Sequence, residues 1–167
     1  MPTPHPIPIA VLMVCMGNIC RSPTAHGVLR AGIAARGWQA LVTVDSCGTH
    51  GYHVGEAPDA RSQQHALQRG YDLSDLRARQ VQAEDFQRHA LILAMDPQNM
   101  ARLEQLCPPA LQHKLHLLTQ FCLHHHSASV PDPYYGGNQG FEKVLDLVED
   151  ACEGLLQHLA RLHPQLP

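Results

Sequence analysis

"CMGNICRSP", residues 15–23, lies between an apolar run and a helical pattern, and the way it joins them decides how the chain is read. Before it, Ile7 to Val14 is apolar throughout, with Pro8 near its start. Such a run suits a strand buried on both faces of a parallel sheet. After it, Ala25, Val28, Leu29 and Ile33 recur at helical spacing over Thr24 to Arg36, and Gly37 stands where a C-terminal cap belongs. A strand, a loop containing glycine and a helix follow one another directly.

The pattern repeats along the chain. "ALVTVDSC" (40–47), "ALILAM" (90–95) and "KLHLLTQF" (114–121) read as three further strands. Helices are expected over 59–70, from Asp96-Pro97 to the Cys107-Pro108-Pro109 stop, and from Asn138 onward. Asp96 is a natural N-cap with Pro97 at the first helical position. The last helix carries the stripe Phe141, Val144, Leu145, Val148, Cys152, Leu155, Leu159 and Leu162. Alternating strands and helices predict an α/β three-layer sandwich, with a four-stranded parallel sheet flanked by helices and a phosphate-binding loop after the first strand. With 167 residues, no repeat and no linker, the expectation is a single domain over 1–167.

The loop follows the carboxyl end of the first strand, where open parallel sheets bind ligands. Backbone N–H groups of Met16, Gly17, Asn18, Ile19 and Cys20 can curve around an anion, and the following helix adds its positive end. The lysine and adjoining serine or threonine of a nucleotide P-loop are missing, which disfavours ATP and GTP. Arg21 closes the loop instead, and a guanidinium grips phosphate in bidentate fashion. Cys15 opens the same nest. Those surroundings favour thiolate over thiol and are expected to bring its pKa from about 8.5 into the range of roughly 3.5–7.5. A thiolate aimed at phosphorus forms a phosphocysteine, and Ser22 can stabilise the sulfur as it leaves.

That chemistry needs a proton for the departing oxygen. "PDPYYGG" (131–137) follows the fourth strand and offers Asp132 on a stiff segment between two prolines, with Tyr134 and Tyr135 after it. Asp-Pro also starts ordinary turns, so the reading of Asp132 as an acid depends on the cysteine loop.

Composition narrows the partners. Hydrophobic residues make up 44% and charged residues 16%, a globular balance. Net charge is −3 and only two of the twelve basic residues are lysines, so neither nucleic acid nor an acidic membrane is an expected partner. The opening "MPTPHPIPIA" has no basic n-region, and "IAVLMV" is too short to cross a bilayer, which points to a cytoplasmic protein with no membrane insertion. Six cysteines without a CxxC pair suggest neither a disulfide framework nor a structural zinc site. Cys47, Cys107, Cys122 and Cys152 read as packing residues. His124, His125 and His126 read as a solvated loop, because no nearby ligand set completes a metal site.

"VCMGNICRSPTA" (14–25), "DSCGTHGYHVGEAPDAR" (45–61), "RARQV" (77–81), "AMDPQN" (94–99) and "DPYYGG" (132–137) together resemble the low-molecular-weight protein tyrosine phosphatases across nearly the whole chain. The resemblance implies Cys15 as nucleophile, Arg21 as phosphate clamp and Asp132 as general acid, then base. It implies Tyr52 and Tyr134 as cleft walls, beside Tyr135, with Asn18, Ser22 and Ser46 holding the loop in shape. It further implies that Cys20 can pair with Cys15 in a disulfide, although Cys20 also suits simple packing under the loop. No cofactor or metal is implied. The expected partner is a phosphotyrosine-containing protein, which for bacterial relatives is often a tyrosine kinase of polysaccharide export.

Two positions depart from the family pattern. His26 replaces a common glutamate, and Leu76 stands where a histidine of the loop-shaping network is often found. Three other functions remain open alternatives. Arsenate reductases of this fold need two further cysteines close together, whereas Cys107 and Cys122 flank a predicted strand. Arginine phosphatases carry a small polar residue at the position of Ile19. A non-catalytic phosphate-binding module would need neither Cys15 nor Asp132.

Overall fold

The computed structural model describes residues 7–133 and 137–167. Pro8 has no amide hydrogen to give, and strand β1 (Ile9–Cys15) begins just after it, where the Ile9 N–H donates to the Leu41 carbonyl at 2.8 Å. Strands β2 (Val42–Gly48), β3 (Leu91–Ala94) and β4 (Leu115–Leu117) complete a four-stranded sheet of order β2-β1-β3-β4, parallel at every pairing.

β1 is central, and its alternate residues enter two separate cores. Val11, Met13 and Cys15 pack with Leu29, Ile33, Val144, Val148 and Leu155 on one face. Leu12 and Val14 pack with Phe86, Ile92 and Leu103 on the other. Both faces of β1 are therefore dry, which is why its sequence shows no polar alternation. The first core is roofed by helices α1 (Arg21–Ala35) and α5 (Gly137–Leu162), and helix α2 (Ala60–Gln68) adds Ala66. The second is covered by α3 (Ala83–Arg88) and α4 (Pro97–Leu106). This is the expected three-layer α/β sandwich.

Several local signals act as read. Gly37 takes φ 71° after α1, and the Asp96 side chain accepts the Asn99 N–H at 2.7 Å to cap α4. Others differ. The run 114–121 keeps only three residues as strand, then turns into a 3-10 segment, Leu118–Phe121. That turn buries Leu118 and lays Phe121 against α5, so the run stays apolar without extending the sheet edge. α3 has too few residues to show a period and is marked by its cap, where Asp85 accepts the Gln82 N–H at 2.8 Å. On α5 the buried face is wider than the expected stripe, taking in Leu147, Ala151 and Leu156, while Leu162 is exposed. Among the described residues no helix is long and apolar enough to cross a membrane.

The order 2-1-3-4 places a switch point between β1 and β3, where successive connections leave to opposite faces. The 15–23 loop opens there. The long loop after β4 reaches the same place, because the Val130 N–H donates to the Met95 carbonyl at 2.7 Å, just past β3.

Close approach of the Leu118–Phe121 segment to α5 depends on Gly154. A Cβ there would stand 1.7 Å from the Phe121 carbonyl oxygen. Gly154→Ala is expected to destabilise the fold by at least about 1–3 kcal/mol, the usual cost of overpacking. Calorimetry should record a fall in Tm of several degrees, and an unchanged Tm would contradict this packing.

Candidate active site

Cys15 ends β1, paired across the sheet with Gly48, and from it the chain curls over five residues into α1. The curl needs one left-handed residue, and Asn18 supplies it at φ 58°. Asparagine tolerates this backbone better than most residues because its short side chain can bond locally. Here Asn18 Nδ2 donates to Ser22 Oγ at 2.8 Å and its Oδ1 accepts the Arg79 N–H at 3.0 Å.

The loop's carbonyls are engaged from outside. Thr49 N–H donates to the Cys15 carbonyl, His50 N–H to Met16 and Asp59 N–H to Ile19, at 2.8–3.0 Å. Thr24 Oγ1 donates to the Cys20 carbonyl at 2.7 Å. In a trans peptide the N–H points opposite to the C=O, so the amides paired with these carbonyls face inward. The end of β2 lies close against this ring, since a Cβ on Gly48 would stand 2.6 Å from the Met16 oxygen.

Within the ring, Cys15 Sγ accepts the Asn18 N–H at 3.3 Å and lies 3.0 Å from Ser22 Oγ. Ser22 Oγ is also 3.4 Å from the Cys47 carbonyl. Arg21 is 3% exposed, and its Nη1 donates to Asp96 Oδ2 at 2.6 Å and to the Val130 carbonyl at 3.1 Å. One cavity of about 300 Å³ is lined by Cys15, Met16, Gly17, Ile19, Cys20 and Arg21 together with Tyr52, His53 and Asp132. Cys20 is buried, and desolvation pushes its thiol up to about 12. Tyr52 is 77% exposed at the rim, with the His50 ring stacked against it at 5.3 Å between centroids.

Of the residues expected from the sequence, Cys15, Met16, Gly17, Ile19, Cys20, Arg21, Tyr52 and Asp132 line one cavity, and Asn18 and Ser22 contact the Cys15 sulfur and each other. Three others are not placed there. Tyr134 and Tyr135 lie outside the described residues. Ser46 touches the His26 ring at 2.9 Å instead of the loop itself. Three further residues, with no local sequence signal for the site, also contribute to it. Asp96 caps α4 through one oxygen, and its second oxygen holds Arg21. His53 lines the cavity and lies over Gly17, and nothing but its place beside Tyr52 marks it. Arg79 gives its backbone N–H to Asn18 while its guanidinium binds Asp45 and Asp85 at 2.8–3.2 Å. Leu76 is simply buried, and Asn18 is held through the Arg79 backbone.

Residues 10–165 match the family model of the Low molecular weight phosphotyrosine protein phosphatase. The chain belongs to this family. A low molecular weight protein-tyrosine-phosphatase of Streptomyces coelicolor is 43% identical over 87% of this chain and 90% of its own. The crystal structure of an Entamoeba histolytica protein tyrosine phosphatase, with Hepes in its active site, is 39% identical and superposes with a TM-score of 0.89, covering 92% of this chain and 97% of that one. The Drosophila arginine phosphatase is 34% identical with a TM-score of 0.82, over 89% and 96% of the two chains. This phosphatase is a member of a hydrolase family, and its substrates are phosphoproteins.

The His26 departure has a measurable consequence. Burial lowers the His26 pKa from 6.5 to about 4. Below pH 6.5 the unfolded chain takes up a proton that the folded one refuses, so stability falls until about pH 4. The wild type should lose roughly 3 kcal/mol more than His26→Gln between those limits. Denaturant titrations across the range check this, and a pH-independent difference between the two proteins would contradict it.

Proposed function

We propose that this phosphatase hydrolyses phosphotyrosine monoesters through a phosphocysteine. The observation that carries the reading is the Cys15 sulfur, which accepts an N–H and faces a hydroxyl inside a loop whose amides are turned inward. Arg21 spends Nη1 on Asp96 and Val130, and its Nε–Nη2 edge suits two phosphate oxygens. The Cys15 thiolate attacks phosphorus, the S–P bond forms, and the bond to the phenolic oxygen breaks. Asp132 gives that oxygen its proton. Water then attacks the phosphocysteine, Asp132 takes the water's proton, and the sulfur leaves as thiolate facing Ser22 Oγ. Asn18 and Ser22 hold the loop, while Ser46 supports α1 through His26.

Substrate choice follows from depth. Cys15 is 3% exposed at the cavity floor and Tyr52 stands at the rim, so an aryl stem spans the distance and a serine stem does not. The family resemblance assigns Tyr134 and Tyr135 to the substrate cleft as well. The apolar Ile19 side chain lines the cavity and favours an aryl group over a guanidine. The substrate is a phosphotyrosine-bearing protein, with bacterial tyrosine kinases among the chemically suitable partners. Six free cysteines suit a reducing compartment, the cytoplasm.

Cys15→Ser should fold and bind phosphate without turnover. Asp132→Asn should lower kcat/KM for phenyl phosphate by about 10²–10⁴, the usual worth of a general acid, and less for 4-nitrophenyl phosphate. Phosphotyrosine peptides should outperform phosphoserine and phosphoarginine peptides in kcat/KM. Comparable values across the three would overturn the assignment of substrate.

Cys20 shares the cavity and serves as the redox partner. Peroxide converts the Cys15 thiolate to a sulfenic acid, which condenses with the Cys20 thiol to a disulfide and water. Dithiothreitol should restore oxidised wild type, whereas Cys20→Ser should recover poorly. Equal recovery would leave Cys20 as a packing residue.

A further inference from the structure

Asp150 is a buried carboxylate that the proposed chemistry does not use. Its side chain is 5% exposed on the inner side of α5, and a loop start wraps around it. Oδ1 accepts the Leu123 N–H at 2.9 Å, and Oδ2 accepts the N–H groups of His124 at 3.0 Å and His125 at 2.8 Å. His125 Nδ1 lies 2.7 Å from Oδ2. Burial opposes ionisation, but the His125 ring and these amides outweigh it and hold the carboxyl well below the usual range. An acceptor so fully committed fixes the loop's first residues to a rigid helix.

The same helix also holds the loop's far end. Pro133 is buried and lies close to Gly140, where a Cβ would meet the Pro133 Cα at 3.4 Å. Gly140 and Asp150 are ten residues apart, about 15 Å along α5. Between the two anchors Val130 is tied to Met95 and Arg21, and Asp132 lines the cavity. Both ends of the segment bearing Asp132 therefore refer to one rigid body.

We infer that Asp150, with His125 closing over it, is a positioning residue that sets where the Asp132 carboxyl stands over the phosphate loop. This rests on the proposed role of Asp132 as general acid. It gives the histidine run a purpose: its backbone grips the anchor and one ring completes it. Losing the anchor misplaces the acid, while Cys15 keeps its contacts within the phosphate loop and Arg21 keeps Asp96. Cleavage of esters with poor leaving groups then suffers, and cleavage of those that need no proton does not.

The test compares kcat/KM for phenyl and 4-nitrophenyl phosphate in wild type, Asp132→Asn, Asp150→Asn and His125→Ala, with Tm measured for each. Asp150→Asn should lower the phenyl phosphate value by about 10²-fold, the scale of a catalytic group misplaced by about 1 Å, and change the nitrophenyl value far less. His125 is half exposed, so His125→Ala folds and should show the same pattern at smaller size. It decides the matter if Asp150→Asn fails to fold. Added to Asp132→Asn, His125→Ala should cost nothing further, because both act through one carboxyl.

A phenyl-to-nitrophenyl ratio equal to wild type in the folded variants would overturn the inference. So would a His125→Ala loss that persists at full size on the Asp132→Asn background. If Asp132→Asn itself leaves the ratio unchanged, the reading of Asp132 fails instead.

Discussion

The left-handed turn at Asn18 is the constraint on which the site depends. At φ 58° the chain reverses quickly enough for the Asn18 amide to meet the sulfur of Cys15, three residues back. The two ends of its side chain hold that reversal, one on Ser22 and one on the Arg79 backbone. Outside donors then occupy the loop's carbonyls, so that its amides turn toward the cavity. Without this turn Cys15 would be one more apolar residue at a strand end. With it, a thiol, a hydroxyl and a guanidinium share one small volume.

A second layer fixes that loop against the rest of the fold. Arg79 is held by Asp45 at β2 and by Asp85 on α3, so its backbone N–H stays aimed at Asn18. Asp96 divides its two oxygens between the start of α4 and the Arg21 guanidinium, tying helix geometry to the phosphate clamp. The Val130 carbonyl brings the loop after β4 to the same guanidinium. Charges this buried are tolerated because each is matched by several hydrogen bonds.

Much of this was legible in the sequence because the signals were local. The dry run before Cys15, the glycine and asparagine in the loop and the Asp-Pro start of α4 each act over a few residues. What escaped reading acts across the fold. Nothing near Asp96 reveals that its second oxygen meets Arg21, seventy-five positions earlier. The short α3 has no period to detect, and the run after β4 stays apolar for contact with α5, not for a longer strand. The histidine run is exposed, as its sequence suggests, but its tie to Asp150 has no local sign because that carboxylate comes from a distant helix.

The central claim is that Cys15 carries the phosphoryl group between substrate and water. A denaturing quench during turnover of an aryl phosphate, followed by peptide mapping, tests it most directly. The account predicts one phosphoryl group on the peptide containing Cys15, absent in the Cys15→Ser protein. A phosphoryl group on Asp132 or a histidine, or no phosphopeptide from a protein that is turning over, would contradict it.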